Sequence, residues 1–411
     1  MISVEKAHRI IQSATPDPLS ETVQVKEASD RVLARDVFTP FAQPRFDNSA
    51  MDGFALRWED TVGASQESPV GLTLKGTISA GVEPEFAIQK GECCQIMTGA
   101  PVPGGANAIV IVENTSGFSS NNLVQIFEPA ALHNHIRFQG EEIQEGELLL
   151  KKGTHIGPSE LNILVAFGYG EVPVYQRLKI AIFTTGNELI EPGNPLKVGQ
   201  IYNSNLHLLT DLAKRVGPQI LFHRVIRDDP ESMRELLSRA LDSCDIVVTS
   251  GGVSKGKYDY VREVFSELGV KEHFRRVAQK PGKPFLFGTK GEILIFGLPG
   301  NPVSSFICFM EFVWLTCEHW MGLKPLCKVK AILKSNFPNK PDKHCFLFGR
   351  LSYENNRLMA VPTEKYGSHM VTSAVDANCI LESPPGSSPL QKGDTILANP
   401  FPWMNLGRFM S

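Results

Sequence analysis

The sequence predicts an α/β protein of several domains, with a mostly parallel, helix-covered sheet at its centre and β-rich segments before and after it. Three observations carry this. Strand and helix patterns alternate between about residues 177 and 324, short β runs broken by Gly, Pro, Asn and Ser fill 44–139, and the helical pattern disappears after Pro325. A chain of 411 residues also exceeds one core of roughly 100 to 200 residues, so two to four domains are expected.

Taken in order, the chain opens with an amphipathic helix, because Val4, Ala7, Ile10 and Ile11 share one face behind a Ser3 cap and Pro16 and Pro18 end the pattern. From Pro44 to Gln139, runs such as Leu72–Leu74 and Ala108–Val112 read as strands of a small β domain. Gly140 to Val174 carries repeated glycines around the apolar segment Leu161–Phe167. The central alternation starts with a buried strand at Ile180–Phe183 and a turn at Gly186. A helix from Leu206 to Val216 stops at Gly217, and a strand runs from Ile220 to Ile226. Asp229-Pro230 then supplies a cap and a helix-starting proline. After that helix, a strand at Ile246–Thr249 leads through Ser250-Gly251-Gly252 into a helix over Tyr258–Leu268, with further strands near Phe274–Ala278 and Ile293–Phe296. Val329–Leu333, Cys345–Leu351, Leu358–Val361 and Asp394–Ala398 read as strands of a last β domain.

The bulk numbers narrow the function classes. With 42% hydrophobic and 21% charged residues, the chain folds throughout. A net charge of −3 gives no bulk attraction to nucleic acid or a membrane surface, so an anionic substrate must meet a local cationic pocket. The eight cysteines are scattered without a CxxC pair or matching His spacing, which argues against a disulfide framework or a zinc site. The N-terminus lacks a secretory pattern, and a reducing cytoplasm is expected. Val303 to Met321 is apolar but interrupted by Glu311 and His319, so it reads as a buried helix rather than a span of about 20 apolar residues; no membrane segment is expected.

Candidate chemistry gathers at the carboxyl ends of the central strands, where parallel sheets bind ligands. Ser250-Gly251-Gly252-Val253-Ser254 offers bare backbone N–H groups to a phosphate; its structural reading is a tight turn. Lys280-Pro281-Gly282-Lys283-Pro284 sets two ammonium groups on a stiff loop suited to a polyanion, or is a solvated basic loop. Gly297 to Ser304, including Pro299 and Pro302, again joins a strand to a helix, with simple turn chemistry as the alternative. Glu188, Asp228, Asp229 and Asp259 are interleaved among these loops. Hard oxygen ligands beside phosphates point to magnesium, although Asp229 also reads as a helix cap and Asp259 as a solvated charge. In the first β domain, Phe46–Phe54 contains Asp52, and Met97–Pro103 contains Thr98, which could donate to an oxyanion; alone, each passes for a loop.

Together and in order, Phe46–Gly53, Met97–Pro101, Thr185-Gly186 with Glu188-Leu189, Gly199–Tyr202, Ser250–Ser254, Lys280–Pro284 and Gly297–Ser304 resemble the MoeA family of molybdopterin molybdenumtransferases, whose animal counterpart is the C-terminal part of gephyrin. The resemblance spans nearly the whole chain. It implies four parts: a discontinuous linker and dimerisation domain of mixed α/β type (1–43 with 140–175), an inserted β-rich domain (44–139), a three-layer domain like the molybdopterin-adenylating enzyme (176–324) and a C-terminal β-barrel (325–411). It further implies a homodimer with the site at the subunit interface, where adenylyl-molybdopterin and molybdate give molybdenum cofactor and AMP with Mg2+. The implied catalytic residues are Asp52, Thr98, Glu188 and Asp259. Substrate binding falls to Ser250, Gly251, Gly252, Ser254, Lys280, Lys283, Pro299, Pro302 and Ser304, and metal binding to Glu188, Asp228 and Asp259. The implied partners are the molybdopterin-adenylating enzyme and the apo-molybdoenzymes or their chaperones.

The chain departs from the family at Asn187 and Asn203, where aspartate is usual, at Glu142, where Gly-Glu-Asp is usual, and at Lys365-Tyr366-Gly367-Ser368-His369, where the family tends to show Gln-Gly-Ser. Two other readings follow. One is a molybdopterin-binding carrier or scaffold that has lost turnover, which the asparagines favour. The other is the adenylating activity or a nucleotide pyrophosphatase, which the flanking domains argue against.

Overall fold

The computed structural model describes residues 1–118, 122–252, 260–325, 327–338 and 340–403. The chain forms two compact units, one of Met1–Val23, Asp30–Ala34 and Pro173–Ser411, the other of Gln24–Ser29 and Arg35–Val172.

The opening helix α1 (Val4–Ala14) forms as expected: the Ser3 hydroxyl accepts from the Lys6 N–H at 3.1 Å, and Val4, Ala7 and Ile11 are buried. Ile10 only packs against the edge of that core. The second unit contains a five-stranded sheet of β1 (Gly53–Leu56), β2 (Val70–Ile78), β3 (Glu92–Ile96), β4 (Ala108–Ile111) and β5 (Leu123–Ile126), in the order β4-β1-β3-β2-β5. Both faces are covered. Phe54, Leu56, Leu72, Cys93 and Val110 fill one core, while Ala55, Ile78, Cys94, Ile96 and Ile109 fill the other. Strands buried on both faces read as continuous apolar runs, which is how Ala108–Val112 looks in the sequence. Gly53 is sterically required, since a Cβ there would collide with the Val110 carbonyl oxygen on the paired strand. The Leu161–Phe167 segment lies in helix α2 (Pro158–Ala166), started by Pro158 and by the Glu160 carboxylate accepting from the Gly157 N–H.

The first unit is built on a six-stranded sheet of β6 (Lys179–Thr185), β7 (Gln219–Ile226), β8 (Ile246–Ser250), β9 (Lys271–Arg276), β10 (Pro284–Lys290) and β11 (Ile293–Leu298), in the order β7-β6-β8-β11-β10-β9. Neighbours from β7 through β11 are parallel; β10 and β9 join antiparallel. Helices α3 (Ser204–Val216) and α6 (Pro302–Cys308) pack with Ile180, Ile182, Val248 and Phe296 on one face. Helices α4 (Pro230–Leu241) and α5 (Tyr260–Glu267) pack with Ala181, Phe183, Val247 and Ile295 on the other. This is the expected three-layer arrangement. Two details differ. The strand expected near Phe274–Ala278 starts earlier, and β10 went unseen because Lys283-Pro284 punctuates like a loop, whereas proline is tolerated at a strand's first residue. Val303–Met321 forms the expected buried helical stretch: α6 continues through a π-helical segment, Phe309–Trp314, into Leu315–Trp320. Among the described residues, no helix is long and apolar enough to cross a membrane.

The C-terminal strands β12 (Val329–Leu333), β13 (His344–Glu354), β14 (Arg357–Pro362), β15 (Cys379–Ser383) and β16 (Thr395–Pro400) close into a five-stranded barrel, running β13-β14-β12-β16-β15 and back to β13. The strand β15 was missing from the sequence expectation. Gln279–Lys280 adds to the outside of this barrel, parallel to His344–Cys345 of β13.

Candidate functional site

The carboxyl ends of β6, β8 and β11 lie in one row, because the parallel registers pair Thr184 with Ser250 and Ser250 with Leu298. The loops leaving this row open onto a cavity of about 1400 Å³. Its lining includes Glu188, Ser250, Gly251, Gly252, Lys280, Lys283, Pro299, Pro302 and Ser304, so nine of the residues singled out from sequence meet at one place. Ser254 and Asp259 lie outside the described residues.

Behind the loops is a buried polar frame. The Ser250 hydroxyl accepts from the Asn205 amide at 2.9 Å, donates to the Pro299 carbonyl at 3.1 Å and meets the Ser305 hydroxyl at 2.9 Å. Ser305 donates to the same Pro299 carbonyl at 2.6 Å, and Asn205 also donates to the Gly300 carbonyl at 2.8 Å. Ser250 therefore ties the β8 and β11 loops together rather than presenting a free hydroxyl to a ligand. Asn205 was missed in the sequence, since an asparagine near a helix start gives no sign of reaching two loops.

The glycine pair is held in conformations that favour glycine, with φ of 96° at Gly251 and 65° at Gly252. A Cβ would lie 2.8 Å from the Thr185 carbonyl at Gly251, and 2.5 Å from Val261 Cγ2 at Gly252. The loop therefore packs against the end of β6 and against α5 and leaves backbone along the cavity, as a phosphate cradle requires.

Cations dominate the lining. Lys280 and Lys283 face the cavity with Lys340, Lys343 and Lys365 of the barrel, against two carboxylates, Glu188 and Glu364. Among the described residues no carboxylate pairs with any of these lysines. A protein of net charge −3 thus concentrates positive charge in one concavity, the arrangement that attracts and holds anions. Lys340 and Lys343 were not recognised in the sequence, because a divergent β segment gives no cue that its loop reaches the parallel domain.

Asn187 follows β6, Asp228 and Asp229 follow β7, and Asn203 lines the cavity. Asp228 and Asn187 bind each other reciprocally: the Asn187 N–H donates to the Asp228 carboxylate at 3.3 Å, and the Asp228 N–H donates to the Asn187 side-chain oxygen at 3.2 Å. Asp229 caps α4 by accepting from the Ser232 N–H at 2.9 Å, and hydrogen bonding from the Ser232 side chain, then from its N–H, holds its pKa below the ordinary value. Asn203 is buried and caps α3, accepting from the Leu206 N–H at 3.3 Å while its amide donates to Glu191 at 3.2 Å. Glu142 is exposed in the other unit, its N–H donating to the Gln43 carbonyl. Among the described residues, no group of three His, Cys, Asp or Glu side chains converges.

Asp52 and Thr98 belong to the β-rich unit and meet each other. The Thr98 N–H and hydroxyl both donate to one Asp52 carboxylate oxygen at 2.7 Å, and these bonds lower the Asp52 pKa. Thr98 was expected to offer its hydroxyl to an oxyanion; here it is spent on Asp52.

Sequence profiles match along the chain in order: the MoeA N-terminal region (domains I and II) over residues 2–168, a probable molybdopterin binding domain over 181–319, and the MoeA C-terminal region (domain IV) over 330–401. The molybdopterin molybdenumtransferase of Bacillus subtilis is 31% identical over 420 aligned positions, covering 99% of this chain and 97% of that protein. That of Nostoc sp. is 38% identical over 297 residues, 72% of this chain and 68% of that one. Two solved structures of the molybdopterin biosynthesis MoeA protein from Pyrococcus horikoshii superpose with TM-scores of 0.84 and 0.76, at 35% and 30% identity, each covering 98% of this chain and all of that one.

Proposed function

We propose, from the premise that this chain belongs to the MoeA family of molybdopterin molybdenumtransferases, that it combines adenylyl-molybdopterin with molybdate to give molybdenum cofactor and AMP. The observation that carries this reading is the cavity at the strand ends, where bare glycine backbone and lysines without a carboxylate partner among the described residues surround a space of about 1400 Å³, room for a pterin nucleotide. In this reading Lys280 and Lys283 hold the phosphates, Gly251 and Gly252 bring backbone N–H groups to them, and Pro299, Pro302 and Ser304 shape the pocket. Ser250, through Asn205 and Ser305, keeps two of the loops in place.

Magnesium fits the residues present. It normally takes one or two protein carboxylates and fills its other positions with phosphate and water, so the lack of a three-carboxylate cluster among the described residues is no obstacle. Glu188, exposed on the cavity wall, would hold it with Asp259 and with Asp228 nearby. When bound, it would neutralise charge as the phosphoanhydride breaks. Lysines 280 and 283 would meanwhile orient the phosphates, and Ser254 would add a contact to them. Asp52 and Thr98 would act from the partner subunit of a homodimer, on the molybdate side of the site. The four-part division at 43/44, 139/140, 175/176 and 324/325 belongs to the same reading. So do a cytoplasmic location, supply by the molybdopterin-adenylating enzyme and delivery to apo-molybdoenzymes or their chaperones. Asn187 and Asn203 are accounted for by the hydrogen bonds they make, Asn187 with Asp228 and Asn203 with Leu206 and Glu191, and no observation favours a carrier without turnover.

Reconstitution with adenylyl-molybdopterin, molybdate and magnesium tests the proposal. Molybdate-dependent AMP release, with transfer of active cofactor to an apo-enzyme, is expected. Tight binding of the pterin nucleotide without AMP release would make the protein a carrier.

A further inference from the structure

Helix α1 divides its surface three ways. Val4, Ala7 and Ile11 enter the core. Glu5 and His8 face partners: the Glu5 carboxylate stands 3.6 Å from the His344 ring, and His8 meets Glu311 at 2.9 Å. The third stripe, Lys6, Arg9, Ile10, Ser13 and Ala14, has the spacing of one helical face and forms one wall of a groove of about 730 Å³. His273 of β9, Thr289 of β10 and Gly291 of the following turn form the other wall. Ile10 and Ala14 are half-buried against the core, whereas Lys6 and Arg9 are exposed. Among the described residues no carboxylate pairs with either cation, and Arg9 Nε meets the Glu5 carbonyl, at 3.4 Å, rather than its carboxylate. Lys6 also lies in the first turn of α1, where a cation opposes the helix dipole, so helix stability does not account for it.

His273 is placed by a bulge. β9 pairs Glu272 with Gly288 and Phe274 with Phe287 of β10, so His273 is the extra residue of an edge strand. Such an insertion re-aims a side chain. Here the imidazole lies over Phe287, with centroids 5.5 Å apart and planes at 29°, and its Nε2 is 2.9 Å from the Thr289 hydroxyl. A bulge that only blunted the edge against pairing would not need its ring held at two points. Burial, then the charge of Lys271, holds the His273 pKa below the ordinary value, and an anion brought beside the ring would push it up. None of the residues lining the groove is a carboxylate, and none of them lines the strand-end cavity. We propose that the groove binds a small organic phosphomonoester, with Lys6, Arg9 and the His273 ring around the phosphate and Ile10 and Ala14 against the apolar body. Two permanent cations match a phosphate charge of about −1.5 to −2 at neutral pH. The space falls within the roughly 300 to 1,000 Å³ of small-molecule sites. The site goes beyond the functional reading above, which uses none of these residues.

The imidazole resonances of the full chain read this site directly, with His273 assigned by its loss in His273→Asn. Titration with phenyl phosphate should shift the His273 Hε1 resonance saturably and raise the pH midpoint of its titration, as a nearby anion requires. Lys6→Gln/Arg9→Gln, with both residues exposed, should keep the parent's thermal melt and weaken the binding read at His273 by about tenfold or more, because two charge-assisted contacts are removed. Lys6→Arg/Arg9→Lys keeps both charges and should stay within a few-fold of the parent. Lys280→Gln/Lys283→Gln should leave the His273 curve unchanged, which separates this groove from the strand-end cavity. Inorganic phosphate has no apolar body and should bind several-fold more weakly than phenyl phosphate. The absence of a saturable shift at His273, or an undiminished one in Lys6→Gln/Arg9→Gln, would overturn the proposal. So would loss of the shift in Lys280→Gln/Lys283→Gln, which would place the ligand at the strand ends. Equal affinity for the two phosphates would overturn the assignment of Ile10 and Ala14 to an apolar body, and with it the ligand class.

Discussion

The cavity at the strand ends and the Asp52–Thr98 pair treat their polar groups in opposite ways. In the cavity the cations have no acidic partner: no carboxylate among the described residues pairs with Lys280, Lys283, Lys340, Lys343 or Lys365, although the Lys365 ammonium donates to the Thr372 hydroxyl at 3.4 Å. In the β-rich unit, Asp52 and Thr98 consume each other's hydrogen-bonding capacity on an exposed surface. Ser250 resembles the second case although it sits in the first region, because its hydroxyl is satisfied by Asn205, Ser305 and the Pro299 carbonyl. A residue's type marks where chemistry is possible. Whether it binds a ligand or holds a loop depends on what its neighbours have already claimed.

The largest expected effect breaks the cavity side. Lys280→Gln/Lys283→Gln removes two charge-assisted contacts to phosphate, each worth roughly 1.5 to 3 kcal/mol. Together they should cost about 3 to 6 kcal/mol, so kcat/KM for AMP release should fall by roughly 10² to 10⁴. The thermal melt should be unchanged. A loss below tenfold would mean that the two ammonium groups are solvated rather than bound to substrate.

Next in size is a backbone test in the β-rich unit. Gly53→Ala pushes a Cβ into the Val110 carbonyl oxygen within the β1–β4 ladder. Because the obstacle is backbone rather than a flexible side chain, about 3 kcal/mol of destabilisation is expected, the upper part of the overpacking range. A denaturant midpoint equal to the parent's would show that the strand pair can spread at little cost.

Much of this was legible because local physics acts over short spans. The turn at Gly251-Gly252 needs glycine, the Asp229-Pro230 pair caps and starts a helix, and apolar runs of about five residues between helices mark buried parallel strands. What the sequence could not reveal involves partners far apart in the chain. Asn205 reaches Ser250 and Gly300 across 45 and 95 residues, and Lys343 comes beside the Lys280 loop only because β13 pairs with Gln279–Lys280. The reciprocal binding of Asn187 and Asp228, 41 residues apart, is of the same kind. No short pattern encodes such meetings. Even the resemblance that located the cavity assigned Ser250 to substrate, whereas the folded chain turns its hydroxyl inward.

Ser250→Ala sharpens that distinction. It deletes a buried hydroxyl that accepts one hydrogen bond and donates another, while Asn205 keeps the Gly300 carbonyl and Pro299 keeps Ser305. A cost of about 1 to 2 kcal/mol in stability is expected, read as a lower melting temperature. At temperatures well below the melt, AMP release should stay within a few-fold of the parent. A large loss of kcat with an unchanged melt would instead restore Ser250 as a substrate contact.

The smallest effect concerns Asp52 and has a definite sign. The Thr98 N–H, and then its hydroxyl, favour the charged carboxylate, so the folded pKa lies below the ordinary value of about 3.9. A group depressed in the folded state contributes stability that is present above its unfolded pKa and lost as the pH falls through the folded one. The contribution should therefore be constant at neutral pH and should fade only in acid, below about pH 4. Full exposure of the carboxylate keeps it small and sensitive to salt. Carboxyl-carbon NMR should show Asp52 titrating below the ordinary aspartate value, and Thr98→Val should move it partway back, because the backbone donor remains. An Asp52 that titrates at the ordinary aspartate value in the parent would mean that the pair is open in solution, leaving the Thr98 hydroxyl available to an oxyanion.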